Sequence, residues 1–266
     1  MEDGGAGDPL ANSGAAYVFS RSGSTWSQQQ KLASSDLGAG DRFGWGVSIN
    51  SDGTYLIVSG RYEDGGAGDP INDSGAAYIF SRSGSTWTQQ AKLTASDAQA
   101  SDYFGWSVSI SGDGAYAIIS ATHEDGGAGN PITDAGAAYV FSRSGSTWTQ
   151  QAKLTASDAQ ASDQFGRSVS INSDGSYAIV GAHNEDGGAG DPLANSGAAY
   201  IFSRSGSTWT EQRKLTASDA ASSDSFGQSV SINSNATYAL VGAQYEDGGS
   251  GDPLSDAGAA YIYEAG

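Results

Sequence analysis

The sequence is poor in cysteine, histidine and proline. It has no Cys, 2 His and 5 Pro among 266 residues. Without Cys there can be no disulfide, no thiolate nucleophile and no Cys-ligated zinc, and so little Pro excludes collagen-like and Pro-rich disordered chains. No apolar run approaches the roughly 18 residues that a membrane-spanning helix needs. The first residues, Met1 to Gly5, lack the basic and apolar segments of a signal peptide.

Positive charge is equally scarce. There are 12 Lys and Arg against 30 Asp and Glu, which gives a formal net charge of −18. Recognition of phosphate groups requires clustered Lys and Arg, so we expect no nucleic-acid partner and no binding to an anionic membrane. Membrane insertion is not expected either, because no apolar run is long enough. A strongly acidic surface instead favours solubility and the binding of cations.

The most prominent feature of the sequence is repetition. The string Glu-Asp-Gly-Gly recurs every 61 residues, and Gly-Ala-Ala-Tyr, Ser-Gly-Ser-Thr-Trp and Phe-Gly follow the same period. We therefore divide one predicted domain, 1–266, into repeats 2–62, 63–123, 124–184 and 185–245 and a partial repeat 246–266. Because the chain starts in mid-repeat, it is expected to be a fragment, a mature piece or an engineered product.

Each repeat contains four strand-like segments. In the second Phe-Gly copy they are 104–110, 116–120, 137–142 and 148–155, and Asp113-Gly114 between the first two is typical of a β-hairpin turn. No segment shows a helical apolar period, so helices should be nearly absent. Four antiparallel strands in each of several repeats predict an all-β fold, a β-propeller of four-stranded blades.

The Phe-Gly pairs begin at Phe43, Phe104, Phe165 and Phe226, and Gly181-Ala182 and Gly242-Ala243 follow later in their units. With these motifs the chain resembles the FG-GAP repeat family, which builds the propeller head of integrin alpha chains and of bacterial and viral surface proteins. The resemblance implies a β-propeller, a role in adhesion or binding, and a location outside the cell or on a cell or virion surface.

Two features depart from the family pattern. Family propellers usually have seven blades, whereas this chain supplies four periods. The family's calcium loop, D-x-D-x-D-G, is shortened to Asn-Ser-Asp-Gly and becomes Asn233-Ser234-Asn235-Ala236 in the last copy. Calcium ligation is therefore not expected at that loop.

Ring closure has two solutions. A four-bladed ring needs sixteen strands and the sequence predicts seventeen, so one copy of the third strand, 15–20 or 259–263, is surplus. Either the two ends of one chain complete a blade together, giving a monomer, or two chains share their ends in an eight-bladed homodimeric ring. Both leave fewer open sheet edges.

Most acidic residues fall in loops on one predicted face. Calcium favours six to eight oxygen ligands, which acidic Gly-rich loops can supply, so calcium is a possible cofactor. The alternative is that these carboxylates stabilise turns and keep the protein soluble. The candidate metal ligands are Glu63, Asp64, Asp69, Glu124, Asp125, Glu185, Asp186 and Asp191.

The repeats differ mainly beside Phe-Gly and after the second strand, again on the acidic face. Aromatic residues and Arg are enriched at recognition surfaces, although neutral drift at exposed positions also predicts variation in loops. The candidate residues for binding a protein or glycan ligand are Arg42, Trp45, Arg61, Tyr62, Tyr103, Trp106, His123, Arg167, His183 and Tyr245.

Three functions compete. A non-enzymatic module is favoured, either structural or binding a protein or glycan through the acidic loop face, with or without the help of calcium. A second possibility is an engineered or recently duplicated scaffold without a ligand. A propeller glycoside hydrolase or lyase is the least favoured, because it needs one asymmetric acid–base pair whereas the acids here recur identically in each repeat.

Overall fold

The computed structural model describes residues 10–64, 71–125, 132–186, 193–247 and 255–264. In these ranges the chain is all-β and contains no helix. Consequently, none of the described segments qualifies as a membrane-spanning helix. The predicted all-β class is confirmed.

The described strands form five antiparallel sheets. Sheet 1 contains β1 (Ala16–Ser22) and β2 (Thr25–Leu32). Sheet 2 contains β3 (Val47–Ile49), β4 (Tyr55–Gly60), β5 (Ala76–Ser83) and β6 (Thr86–Leu93). Sheet 3 contains β7 (Val108–Ile110), β8 (Tyr116–Ala121), β9 (Ala137–Ser144) and β10 (Thr147–Leu154). Sheet 4 contains β11 (Ser168–Ile171), β12 (Tyr177–Ala182), β13 (Ala198–Ser205) and β14 (Thr208–Leu215). Sheet 5 contains β15 (Phe226–Ile232), β16 (Tyr238–Ala243) and β17 (Ala259–Glu264).

Strand order within each sheet follows the chain, as a meander. The four-stranded antiparallel unit predicted from the repeat is therefore confirmed in sheets 2, 3 and 4. Its first strand is shorter than the predicted 104–110, because Gly105 has φ 95° and the backbone N–H groups of Gly105 and Trp106 both donate to the oxygen of Ser120. Because of this irregularity, regular pairing between the first and second strands of sheet 3 begins only at Val108.

Phe-Gly links neighbouring sheets. The N–H of Phe104 donates to the oxygen of Ser74 at 2.8 Å, and Gly75, with φ 84°, lies so close that a Cβ there would be 2.0 Å from the Phe104 oxygen. The Phe104 ring is buried against Tyr139 and Phe141 at centroid distances of 5.5 and 6.1 Å. The motif therefore fixes the distance between one sheet and the loop of its neighbour.

The core lies between the sheets. Ile118 of sheet 3 and Val169 and Ile171 of sheet 4 belong to one buried cluster, and each further pair of neighbouring sheets has an equivalent cluster. The first strands of consecutive sheets, β3, β7, β11 and β15, lie side by side along the inner edge of the stack. The sheets are thus stacked face to face, as the thin, repeated unit requires.

Sheets 1 and 5 are the two ends of this stack. Within the described residues, no strand of sheet 1 pairs with a strand of sheet 5. The described strands therefore form an open stack, and the predicted closure into a ring is not observed.

Candidate functional site

The candidate ligand-binding residues come from three short segments that recur in each repeat. Two segments flank Phe-Gly and the third follows the second strand of each sheet. The residue before Phe-Gly has a left-handed backbone conformation although it is not glycine, with φ 55° at Arg42 and 57° at Tyr103. Left-handed backbone is uncommon for such residues, so the loop imposes this conformation and turns the side chain at that position.

Arg61 is the centre of the site. Its guanidinium carbon lies 3.7 Å from the ring centroid of Trp45 and 4.1 Å from that of Trp106, so the indoles enclose it. Its Nη2 donates to the Tyr62 hydroxyl at 2.6 Å, whereas its Nε–H has no acceptor among the described residues. Arg61 is only 7% exposed, and this burial lowers its pKa from the ordinary value. The stacked rings supply the attraction that holds the buried cation.

Aromatic contacts extend the site from Arg61 toward sheet 3. Arg42 lies over the Tyr62 ring at 4.3 Å, and the Tyr62 ring meets that of Tyr103 at 5.2 Å. Tyr103 in turn contacts His123 at 4.9 Å. Burial lowers the pKa of His123, which favours its neutral form at neutral pH.

Arg167 extends the site in the other direction. Its guanidinium lies 5.1 Å from the Trp106 centroid, and its Nε donates to the Gln228 side chain at 3.0 Å. Burial, with a smaller contribution from Arg167, lowers the pKa of His183 to about 4. Tyr245 also interacts electrostatically with Arg167.

Side-chain contacts therefore join eight of the ten candidate residues, and His183 and Tyr245 interact electrostatically with Arg167. We call these ten residues the aromatic–arginine surface. Two further residues contact this surface but were not among the candidates. Gln228 occupies the same repeat offset as Trp45, so this shared offset was the signal for it. Thr122, whose Oγ1 lies 2.9 Å from His123 Nδ1, shares the repeat offset of Arg61 and His183, but its small side chain suggested no role in binding.

The candidate metal ligands that the structure describes lie elsewhere and have protein partners. Lys153 Nζ lies 2.9 Å from Asp97 Oδ2 and 2.8 Å from Glu124 Oε1, and the Tyr139 hydroxyl donates to Asp97 at 2.9 Å. Burial raises the pKa of Asp97, but the hydrogen bonds from Lys153 and Tyr139 outweigh it, so that the pKa lies below the ordinary value. We call this group of four side chains the lysine cluster.

The lysine cluster connects neighbouring sheets, because Asp97 follows β6 of sheet 2 whereas Lys153 and Tyr139 belong to sheet 3. Lys92 binds Asp36 and Glu63 in the same way, and Lys214 binds Asp158 and Glu185. Each cluster thus fixes one sheet to the next.

The Asp of each Glu-Asp pair shapes its own loop. The Asp125 carboxylate accepts the backbone N–H of Asp134 at 2.7 Å, and Asp64 and Asp186 accept the N–H groups of Asp73 and Asn195 at 2.6 Å. Asp69 and Asp191 lie outside the described residues. No three His, Asp or Glu side chains converge as a metal site within the described ranges. Calcium binding stays a prediction, and the contacts observed here are structural.

Comparison with known proteins agrees with the repeat. The FG-GAP repeat family model matches residues 26–80, 87–141, 148–202 and 209–263, which together are most of the chain. No curated protein matches the sequence. Each match spans the last strand of one sheet, a Phe-Gly pair and the first three strands of the next sheet, and the chain belongs to the FG-GAP repeat family.

Proposed function

We propose that this chain is a non-enzymatic recognition module and that its aromatic–arginine surface binds a protein or glycan ligand. The stacked sheets act as blades of a β-propeller, displayed outside the cell or on a cell or virion surface. FG-GAP repeats are typical of propeller-like binding modules, which supports this assignment of class.

One contrast carries the proposal. At the offset that holds Trp45 and Trp106, the next two repeats hold Arg167 and Gln228, yet all four lie at the start of equivalent sheets. The fold therefore does not require Trp at this offset. By comparison, the offset of Phe104 holds Phe, and that of Lys153 holds Lys, in every described sheet that includes the offset. The contacts of Phe104 and Lys153 are structural.

The chemistry of the surface favours a polar ligand with at least one flat or apolar face. Trp45 is partly exposed and can stack on a sugar ring or an aromatic side chain. Arg42 and Arg167 supply planar donors for carboxylate or hydroxyl oxygens. Trp, Tyr and Arg are also the residue types that dominate the binding energy of protein interfaces.

We do not propose catalysis, because the buried carboxylates recur in the same arrangement from repeat to repeat: Glu63, Glu124 and Glu185 each bind a lysine, and Asp102 and Asp163 each accept a backbone N–H. An acid–base pair needs two carboxyl groups in different environments. The proposal does not depend on calcium, and the Discussion gives the experiment that tests calcium binding.

The experiment is a glycan array and a cell-surface protein-binding screen with the full chain, followed by Trp45→Ala and Arg42→Ala. We expect each substitution to weaken the detected interaction at least about tenfold, since hot-spot truncations cost about 2 kcal/mol or more. Trp209→Ala, a Trp that recurs in every repeat and hydrogen-bonds Gln151, is the control for general loss of packing. Unchanged binding by both variants would place the site elsewhere.

A further inference from the structure

The positive charges of this acidic chain fall into two groups. Eight of the 12 Lys and Arg residues occupy two offsets that recur in each of the four full repeats. In sheets 2, 3 and 4 the recurring Lys binds carboxylates in a lysine cluster, and the recurring Arg donates to a turn carbonyl, as Arg143 does to Gly114 at 2.7 Å. Both offsets therefore serve the shared fold.

The other four cations break the repeat, and three of them belong to the aromatic–arginine surface. These three are Arg42, Arg61 and Arg167, whereas the fourth, Arg213, lies on β14. At the offsets of the three, the other repeats hold no Lys or Arg. The fold therefore does not require a cation at any of these positions, although three guanidinium groups meet there.

Shared aromatic rings bring the three guanidinium groups together. Arg42 and Arg61 lie over the Tyr62 ring at 4.3 and 4.4 Å. Arg61 and Arg167 lie over the Trp106 ring at 4.1 and 5.1 Å, so Arg61 is the central member. Burial lowers the pKa of Arg61, and the charges of Arg42 and Arg167 lower it further although neighbouring tyrosines oppose the shift. The three positive charges therefore act on one another.

The described part of the chain does not neutralise this group by direct contact. Among the described residues, Arg42, Arg61 and Arg167 form no ion pair with a carboxylate. Asp73 interacts with the group electrostatically: burial and the charge of Asp64 raise its pKa, and Arg42 and Arg61 oppose that rise. An anion that contacts the guanidinium groups would relieve their mutual repulsion.

Arg61 also has an unsatisfied donor. It is 7% exposed, and its Nε–H has no acceptor among the described residues, although Nη2 donates to the Tyr62 hydroxyl. A buried donor without a partner costs free energy, and the cost is larger for a charged group. An oxygen supplied by a ligand would remove this cost. The unpaired N–H and the uncompensated charges thus point to the same kind of ligand, an anion.

The charge of the chain favours a single carboxylate over a more highly charged group. The planar guanidinium matches a carboxylate through two parallel hydrogen bonds. The formal net charge of −18 repels a ligand that carries many negative charges. Attraction by the three arginines extends only about 8 Å at physiological salt. One carboxylate experiences this attraction, whereas most of a sulfated or phosphorylated polymer would lie beyond it and be repelled.

The neighbouring groups favour a sugar over a peptide as the carrier of the carboxylate. Asp73 and Asp134 interact electrostatically with Arg61 and His123, so they lie at the margin of the surface. Carboxylates accept hydrogen bonds from sugar hydroxyls but repel a second acidic side chain. An acidic sugar also presents its carboxylate, hydroxyls and apolar face on one rigid ring, whereas a peptide loses conformational entropy when its side chains are ordered.

We propose that the ligand of the aromatic–arginine surface is an acidic sugar with a single carboxylate, a uronic or sialic acid residue, and that the three guanidinium groups bind this carboxylate. Arg42 and Arg167 are half-buried and therefore accessible to it, and Arg61 adds its charge and its unpaired Nε–H between them. This inference rests on the proposed function of the same surface and specifies the chemistry of its ligand.

The first experiment compares sugars that differ in one acidic group. Methyl glucuronide and methyl glucoside differ by a carboxylate in place of a hydroxymethyl group, and sialyllactose and lactose differ by one sialic acid residue. NMR titration of the isotope-labelled full chain follows the indole N–H signals, which report binding at Trp45 and Trp106. We expect each acidic sugar to bind at least about tenfold more tightly than its neutral partner, because hydrogen bonds to charged groups are worth about 1.5 to 3 kcal/mol.

Two results of this titration would overturn the inference. The first is equal affinity within both pairs, including the absence of binding by all four sugars. The second is tighter binding of a sulfated heparin hexasaccharide or of an Asp-rich peptide than of either acidic sugar, because it would assign the arginines to a different class of ligand.

The second experiment removes the accessible arginines with substitutions that the fold already accepts. Arg42→Gln and Arg167→Gln introduce the residue that Gln164 and Gln228 supply at the same offsets in other repeats. We expect each variant to lose at least about tenfold in affinity for the acidic sugars and nothing for the neutral ones. Arg213→Gln, which removes the fourth non-repeated cation, is the matched control for the change in net charge and should bind as the unsubstituted chain does.

The two proposals for this surface fail in different ways. If a ligand found in the glycan array or the protein screen depends on Trp45 but binds Arg42→Gln and Arg167→Gln with unchanged affinity, the surface is a binding site and the acidic-sugar inference is wrong. If Trp45→Ala also leaves every detected interaction unchanged, the proposed function of the surface is wrong as well.

Discussion

The lysine cluster and the aromatic–arginine surface are built on the same repeated backbone, but in opposite ways. The lysine cluster repeats unchanged from sheet to sheet, with nearly equal distances around Lys92, Lys153 and Lys214. At the offsets of the aromatic–arginine surface the residue changes along the stack, as Trp106 and Arg167 illustrate. The comparison separates side chains that hold sheets together from side chains that are free to specialise.

The largest effect is expected inside a lysine cluster. Lys153→Met would leave the buried Glu124 and the partly exposed Asp97 without their cation, and removing one partner of a buried ion pair costs about 3 to 5 kcal/mol. The free energy of unfolding, measured in urea, should fall by this amount, whereas Arg213→Met at an exposed position should change it by less than about 0.5 kcal/mol.

A triple variant sharpens this result. Adding Asp97→Asn and Glu124→Gln to Lys153→Met removes the uncompensated charges, so part of the lost stability should return. If the single Lys153→Met variant is as stable as the unsubstituted chain, the cluster does not hold the sheets together and the first half of the comparison fails.

A smaller effect on stability is expected at the aromatic–arginine surface. Trp106→Ala removes the ring that contacts both Arg61 and Arg167, and the loss of such cation–π contacts costs about 1 to 2 kcal/mol. Gln228→Ala at the same offset should cost less, since Gln228 makes a single hydrogen bond to Arg167. Thermal unfolding of both variants measures the difference, and equal losses would argue against a special role for the indole.

Protonation gives a third contrast, within one loop. Asp97 and Asp102 lie five positions apart, yet their pKa values shift in opposite directions. Burial raises the pKa of Asp102 to about 7, although the Gln99 N–H that donates to its carboxylate opposes the shift. The charges of Glu124, Asp125 and Asp97 reinforce the effect of burial. The folded chain therefore binds more protons than the unfolded chain between about pH 4 and pH 7, and stability contributed by Asp102 decreases as pH rises through this window.

Asp102→Asn should consequently flatten the decline in stability from pH 5 to pH 8. It should also raise the Tm at pH 8 by about 3 °C, if relief of the buried charge is worth about 1 kcal/mol. Asp163 is the equivalent residue in the next repeat, and burial raises its pKa to about 7 as well. Replacing Asp163 by Asn should therefore give the same result. A steeper pH dependence in Asp102→Asn would contradict the assigned direction of the shift.

The difference between local signals and contacts between distant residues explains what the sequence could predict. Period-two alternation and Asp-Gly turns located the strands of each sheet to within a few residues, because those signals are local. The shortened first strand was missed because it depends on the bulge at Gly105 and Trp106, where two N–H groups share one acceptor.

The site was predictable in position but not in contacts. Internal variation located the aromatic–arginine residues, since positions whose side chain the shared fold does not require are free to differ between repeats. The enclosure of Arg61 depends on the spacing between Trp45 and Trp106, which are 61 residues apart in sequence and belong to adjacent sheets. Likewise Lys153 gave no signal, because its two carboxylate partners come from different loops.

Calcium should produce the smallest effect. Glu63, Glu124 and Glu185 already bind lysines, and Asp64, Asp125 and Asp186 already accept backbone N–H groups, so calcium would have to displace these partners before it could bind there. We expect millimolar calcium to leave the Tm within about 1 °C of its value in chelator, since a ligand stabilises the folded state only when its concentration exceeds its Kd. Isothermal titration calorimetry on the same sample should show no stoichiometric heat. A calcium-dependent rise in Tm that disappears in Asp64→Asn would instead assign the Glu-Asp loops to metal binding. The side chains of these loops would then bind a ligand, as we propose for the aromatic–arginine surface, and would not serve only to stabilise the fold.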